Sequence, residues 1–384
     1  MALVARPARR IKVLYVCTAL NRGSGGETHP LTLARCIDKD RFEFSVCVIE
    51  NASAASAAEV ERAGCRLYSL NLSRRFYNPI GLLRIVHRLY RLFSQIESDI
   101  VQTHALHANL LGRLAASWAG IDRVISTENA LPDIERNLLR RALMAPLHAL
   151  NRHLDRETWR IVVVSESVRR WKDPNGRSRK LRVIAPPFRL EAFGGARAPR
   201  SGSPAPVLGV VGRLSAEKGH RFAIAAMPQI LAHTPGARLL IVGSGPLEAE
   251  LKGLVAGLGL TGCVDFLGFV QEVRTAYAVM DLLLVPSLSE AFSLVTVEGM
   301  MMELPVVGAR TGGIAEIVLD GETGVLVPPG DSAALAEACQ GLLSRPEVAK
   351  EMGRRGRRRA LAEFDPEQFI TRHETLYACA IGHR

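Results

Sequence analysis

Short apolar runs alternate with stretches of helical spacing along the chain. The run IKVLYVC, residues 11–17, reads as a strand, with a glycine-bearing loop and the helix-like THPLTLARCI behind it. FEFSVCVIE (42–50) is a second strand and DIVQTHA (99–105) a third, the latter followed by ANLLGRLAASWAGI at helical spacing. RVISTEN (123–129) and WRIVVVSES (159–167) add two more. Apolar runs of this length separated by helices are the pattern of parallel βαβ units, whose strands are buried on both faces.

The rhythm breaks over residues 185–206, APPFRLEAFGGARAPRSGSPAP, which is rich in Pro, Gly, Ser and Ala. It restarts with VLGVVGRL (207–214) and continues through ARLLIVGSG, CVDFLGFV, DLLLVPS, LPVVGA and GVLVPP. DPEQFITRHETLYACAI (365–381) has the spacing of a closing helix. The expected organisation is a first domain over residues 1–190, a linker over 191–206, a second domain over 207–365 and a C-terminal helix over 366–384. The expected fold class is α/β, two doubly wound Rossmann-like domains facing a cleft, with ligands beyond the carboxyl ends of the strands.

Composition narrows the picture without changing it. The 48% hydrophobic and 23% charged fractions are those of an ordinary globular protein. Seven cysteines are scattered with no CxxC pair, which argues against a disulfide framework or zinc site and for a reducing cytoplasm. Arg6, Arg9 and Arg10 before an apolar run resemble a signal peptide, but Lys12 interrupts the run and NRGSGG follows it. A strand feeding a glycine loop is the better reading. No apolar stretch reaches the ~18 residues that span a bilayer.

Charge is uneven. Residues 1–190 hold 31 Lys+Arg against 17 Asp+Glu, a balance of +14, and residues 191–384 hold 18 against 21, a balance of −3. The basic half suits an anionic surface. Low aromatic content, 5%, and the lack of any helix-turn-helix, RNP or zinc-finger pattern speak against nucleic acid. NPIGLLRIVHRLYRLF (78–93) would place Leu82, Leu83, Ile85, Val86, Leu89, Leu92 and Phe93 on one face of a helix and Arg84, Arg88 and Arg91 near the other. Such a helix either lies on an anionic membrane or covers the domain's own sheet. The segment 136–154 has a similar mix, broken by Pro146. The charge asymmetry favours a peripheral position on the inner face of the cytoplasmic membrane.

Three stretches carry candidate chemistry. GRLSAEKGH (212–220) follows a strand and sets Arg213 and Lys218 near a glycine turn at a helix start, a suitable site for a diphosphate. IVGSGP begins like a dinucleotide fingerprint, but Glu248 stands where its third glycine belongs, so it reads as a strand–turn–helix junction and not an NAD site. SLSEAFSLVTVEGM (287–300) keeps two carboxylates, Glu290 and Glu298, in an otherwise uncharged run. Glu290 falls in a loop at a strand's carboxyl end and Glu298 about one turn into a helix. The amides near Ser293 and Leu294, at that helix's N-terminus, suit phosphate oxygens. One ligand with phosphates, a ribose and a second polyhydroxylated group would meet all of these.

GRLSAEKG, DLLLVPSLSEAFSLVTVEGM, LPVVGARTGGIAEIV and DGETGVLVPPGD, in this order and spacing, resemble the retaining GT-B-fold glycosyltransferases of family 4, those with a Glu-x7-Glu signature. The likeness covers residues 207–364 and is looser over 11–190, where SGGETHPLTLAR and DIVQTHALHANLLGRLAA carry it. It implies a nucleotide-sugar donor held mainly by the second domain and an acceptor held mainly by the first. It implies that Arg213 and Lys218 hold the donor diphosphate, Glu298 the ribose and Glu290 the transferred sugar. Gly312 and Gly313, with Gly25 and Gly26 opposite, would let backbone approach the donor, and His104 would line the sugar side. APPF (185–188) replaces the hinge motif Asn-Gly-Val-Asp frequent in that family, and Asn129 stands where a histidine is frequent.

The expected function is transfer of a sugar from a nucleoside diphosphate to an acceptor hydroxyl with its configuration kept, the acceptor being a glycan or lipid-linked. Glu290, His104, Arg213 and Lys218 are the expected catalytic set, with no cofactor and no metal. The competing readings are a nucleotide-sugar epimerase or hydrolase on the same fold, a nicotinamide dehydrogenase, which the missing third glycine opposes, and a non-catalytic nucleotide-sugar binding protein.

Overall fold

The structure, a computed structural model, describes residues 9–21, 25–72, 79–129, 131, 138–188, 193 and 205–382. Residues 22–24, Asn78, Arg136 and all of the expected linker except Phe193, Ala205 and Pro206 lie outside them.

The first sheet contains β1 (Ile11–Cys17), β2 (Phe42–Val48), β3 (Arg66–Ser69), β4 (Ile100–His104), β5 (Val124–Glu128), β6 (Arg160–Val163) and β7 (Leu181–Val183). All are parallel, in the order β3-β2-β1-β4-β5-β6-β7. The second contains β8 (Val207–Val211), β9 (Arg238–Val242), β10 (Val264–Gly268), β11 (Leu282–Val285), β12 (Val306–Ala309) and β13 (Gly324–Val327). It is again all parallel, in the order β10-β9-β8-β11-β12-β13. Both are doubly wound sheets whose order reverses at one place, between β1 and β4 and between β8 and β11. The strands are continuous apolar runs because helices cover both faces: Val13, Leu14, Tyr15 and Val16 are all fully buried.

The C-terminal helix, Pro366–Gly382, crosses back to the first domain. Phe369, Ile370, Leu376, Tyr377 and Ala380 join the core formed by β1, β2 and the helix Thr28–Cys36. Glu374 accepts a hydrogen bond from the Asp38 backbone N–H at 2.8 Å and pairs with Arg41. Phe188 and Phe193, both within the break in rhythm, pack instead in the second domain's core beside Tyr277.

Among the described residues, two contacts join the domains on one side. Glu316, in the second domain, accepts hydrogen bonds from the backbone N–H groups of Glu166 (2.9 Å) and Ser167 (2.6 Å) and from the Ser167 hydroxyl. A carboxylate of one domain thus satisfies the free amides that open helix Glu166–Lys172 of the other. Beside it, Ala291 and Phe292 pack with Val163, Val164 and Val168.

The helix Pro79–Ile96 shows where the expected membrane face goes. Ile85, Val86, Leu89 and Phe93 are buried in the first domain's own core, together with β1 and β4 residues, because the sheet face beneath needs that cover. These four residues therefore form no membrane face. Ile80 (67% exposed) and Leu83 (60%) stay outside, beside exposed Arg84, Arg88 and Arg91. Among the described residues no helix is long and apolar enough to cross a membrane.

Candidate active site

Both switch points open into the same space, a cavity of about 810 Å³ between the domains. Chains leave β8 and β11 in opposite directions there, so their following loops diverge and leave a crevice. Arg213 and Lys218 come from the loop after β8, Glu290 from the loop after β11, and Ser293, Leu294 and Glu298 from the helix start that follows; all line the cavity. Gly26 and Asn129 reach it from the first domain, and Pro186 from the segment joining the two.

Lys218 donates to Glu290 Oε2 at 2.6 Å, and the Ser287 hydroxyl bonds the same oxygen at 3.4 Å. Burial pushes the Glu290 carboxyl above its ordinary value, against the downward pull of the Lys218 ammonium and of both hydrogen bonds. An ammonium has three hydrogens, so two remain on Lys218 for another anion. The turn that carries Lys218 closes at Gly219, whose φ of +67° and contact with the Pro286 carbonyl leave no room for a Cβ. Lys218 is therefore held against the β11 loop by backbone packing. Arg213 is exposed on the cavity wall.

Ser293 caps the helix Leu294–Met301, its hydroxyl accepting from the Thr296 N–H at 3.3 Å. The other first-turn amides keep no helical acceptor and present partial positive charge. Five residues into this helix, Glu298 accepts from the buried Tyr277 hydroxyl at 2.6 Å. Burial raises the Glu298 carboxyl, and the Tyr277 bond works against that rise. Tyr277 fixes one carboxylate oxygen, and the second has no hydrogen bond among the described residues.

The glycines divide. Gly26 lines the cavity, and Gly25 opens the same short turn, Gly25–Glu27. Gly312 and Gly313 lie elsewhere, beneath the loop that carries Glu290. The Gly313 N–H donates to the Glu290 carbonyl at 2.8 Å. A Cβ on Gly312, at φ +47°, would overlap that same carbonyl oxygen, and one on Gly313 would press on Phe292 Cα. They support the Glu290 loop and do not line the cavity.

His104 is also displaced from its expected place. It sits 2% exposed behind the cavity wall, with Nδ1 2.5 Å from the Tyr15 hydroxyl and Nε2 3.0 Å from the Asn129 amide. Burial, helped by His373, pulls its value down to about 4, so it is neutral at pH 7. The wall in front of it is formed by Asn129, Gly26 and His29. His29 packs edge-on against His104, with ring centroids 4.6 Å apart, and its buried Nδ1 has no hydrogen-bond partner. Sequence reasoning passed over His29 and Tyr277 and met Asn129 only as a departure from a family pattern. Gly243 to Pro246, expected to be a plain junction between strand and helix, also line the cavity. No cluster of three or more metal-ligating side chains occurs among the described residues.

Two Rossmann-like domains facing one crevice, with cations and carboxylates on a single wall, define the GT-B class of protein. A family 4 glycosyltransferase model matches residues 23–192 and a group 1 glycosyl transferase model matches residues 205–345. The chain is accordingly a GT-B protein of the family 4 type. The N-acetyl-α-D-glucosaminyl L-malate synthase of Bacillus anthracis is 37% identical over 141 residues, which cover 37% of each chain. With a glycogen synthase of Mycobacterium tuberculosis the match covers 45% of the relative, so the aligned stretch spans less than half the length of these curated relatives. Among solved structures, a sucrose-phosphate synthase from Thermosynechococcus elongatus superposes with a TM-score of 0.81 at 23% identity, covering 98% of this chain and 100% of that one. HepE of Anabaena, solved with UDP and glucose, gives 0.78 at 21% identity over 96% and 99%. At these identities the likeness is one of fold.

Proposed function

We propose that the protein is a retaining glycosyltransferase that moves a sugar from a nucleoside-diphosphate sugar to an acceptor hydroxyl. The observation that carries this is the convergence of Arg213, Lys218, Glu290, Glu298 and the Ser293 helix start on one wall of the cleft. Arg213, Lys218 and the helix amides bind the diphosphate and stabilise the charge that grows on it as the sugar leaves. Glu298 accepts a ribose hydroxyl hydrogen, and Glu290, paired with Lys218, positions the sugar. The bond from the anomeric carbon to the phosphate oxygen breaks, and a bond from that carbon to the acceptor oxygen forms on the same face. The acceptor's proton passes to the departing phosphate. This chemistry needs no cofactor and no metal in our reading, because the cations named here take the charge. HepE with bound UDP supports a diphosphate nucleotide as ligand class by analogy of fold alone.

The acceptor binds mainly against the first domain and is a glycan or a lipid-linked molecule, met at the inner face of the cytoplasmic membrane. Ile80, Leu83, Arg84, Arg88 and Arg91 are the edge that remains for an anionic bilayer. Each cation there contributes about 1 kcal/mol, weakened by salt. Co-sedimentation with anionic but not neutral vesicles at low salt is expected, and its absence removes the membrane part of the proposal.

The test of the reaction is the anomeric proton coupling of the product by NMR. Retention is expected, and inversion contradicts the proposal. Turnover of donor at full rate without acceptor would point instead to an epimerase or hydrolase.

A further inference from the structure

Two groups of buried hydrogen bonds lie between the C-terminal helix and the cleft, one from His373 to Thr127 and one from Tyr15 through His104 to Asn129. His373 Nδ1 lies 2.9 Å from the Phe369 carbonyl. A carbonyl only accepts, so Nδ1 carries the hydrogen of the neutral ring and Nε2 is bare. Nε2 faces Gln102 Nε2 at 3.4 Å, and the Gln102 oxygen, on the amide's other side, accepts from the Tyr377 hydroxyl at 2.5 Å. The Gln102 nitrogen also donates to Thr127 Oγ1 at 2.8 Å.

Tyr15 is fully buried, and among the described residues its hydroxyl makes one hydrogen bond, to His104 Nδ1 at 2.5 Å. The phenol hydrogen has no other acceptor among those bonds, so Tyr15 donates to Nδ1, which leaves the neutral His104 ring protonated on Nε2. The reverse direction, with Asn129 donating to Nε2 and Nδ1 donating to Tyr15, would leave the buried Tyr15 hydrogen with no acceptor among the described bonds. An unsatisfied buried hydroxyl costs about 1–3 kcal/mol. With Nε2 protonated, the Asn129 amide at 3.0 Å must turn its oxygen toward His104, since two N–H groups cannot bond each other. A half-turn about the last side-chain bond exchanges the two ends of the amide.

We propose that the Tyr15 bond makes His104 a positioning residue, a fixed Nε2–H donor, and makes Asn129 the residue that presents amide hydrogens to the cleft. Asn129 then selects for a ligand with an acceptor oxygen at that place, a sugar hydroxyl or a phosphate oxygen. That such a ligand is a nucleotide sugar rests on the function proposed above; the tautomer does not.

The test is long-range 15N–1H NMR on histidine-labelled protein, with His104 assigned by its loss in His104→Gln. Protonated Nε2 and bare Nδ1 are expected in the free protein. A proton on Nδ1 overturns the proposal whatever the protein binds. In Tyr15→Phe, checked for folding by its other histidine signals, the His104 pattern should become a mixture of tautomers, and an unchanged pattern would contradict the role given to Tyr15. The side-chain NH2 pair of Asn129, assigned with Asn129→Asp, is then followed through additions of UDP, GDP and ADP and their glucose esters. At concentrations where a thermal shift reports binding, the pair should move. Movement with the diphosphate alone assigns the acceptor to phosphate, and movement only with the ester assigns it to the sugar. Movement with neither, while binding is seen, overturns the cleft-facing donor. Absence of any thermal shift counts against the proposed function and leaves the tautomer result standing.

Discussion

Lys218 and Arg213 are cations on one wall of the cleft, and each removal should be read at the leaving group. Lys218→Ala and Arg213→Ala should each lower kcat by two or more decades, since one preorganised charge stabiliser is worth about 3–4 kcal/mol. A loss below threefold in either variant would exclude that cation from the transition state. Glu298→Ala should raise the dissociation constant for nucleoside diphosphate with a smaller effect on kcat, because ribose contacts are alike in ground and transition states. Unchanged nucleotide affinity would remove the ribose assignment. Arg213, Lys218, Glu290 and Glu298 were legible because charges stand out in apolar sequence next to strand ends. Tyr277, 21 residues before Glu298, was not legible, because its meeting with that carboxylate depends on how a separate helix packs. Gly312 and Gly313 were located correctly as special glycines, but sequence cannot tell whether a close approach is to a ligand or to the protein's own Glu290 carbonyl.

At the scale of elements, Glu316 is a polar tie across the domains, and Glu316→Ala leaves the opening amides of Glu166–Lys172 without their acceptor. The variant should favour an open arrangement, seen as a larger radius of gyration by small-angle scattering and as faster tryptic cleavage near the hinge. An unchanged radius would show that the Ala291–Phe292 contact holds the domains alone. Strands β1, β2, β4, β5, β6 and all six of the second sheet coincide with apolar runs that the pattern picks out. The edge strands β3 and β7 do not. Arg66–Ser69 has no buried residue and Leu181–Val183 is three residues long, so neither carries the apolar signature of a central strand. The C-terminal helix was legible as a helix. Its return to the first domain is set by the fit of Phe369 and Tyr377 into a core made more than 200 residues earlier, which no local pattern records.

For the whole molecule, the crossing helix makes stability depend on pH. Burial holds His373 at about 4, below its ordinary value of 6.5. The unfolded chain therefore takes up this proton first as pH falls. The contribution is complete above about pH 6.5 and is lost progressively toward pH 4. At pH 5 the loss from this one group is on the order of 2 kcal/mol. Thermal unfolding should show Tm falling between pH 7 and 5, with a shallower fall in His373→Gln; parallel curves would contradict the buried neutral ring. The larger claim is that two doubly wound domains close on a nucleotide sugar through the second domain's cations and carboxylates. Isothermal titration of UDP, GDP and ADP into wild type and Lys218→Ala addresses it most directly. One nucleotide should bind the wild type with a clear preference over the other two, and Lys218→Ala should weaken that binding at least tenfold. Equal affinity in both proteins, or no binding of any nucleotide to the wild type, would contradict the account.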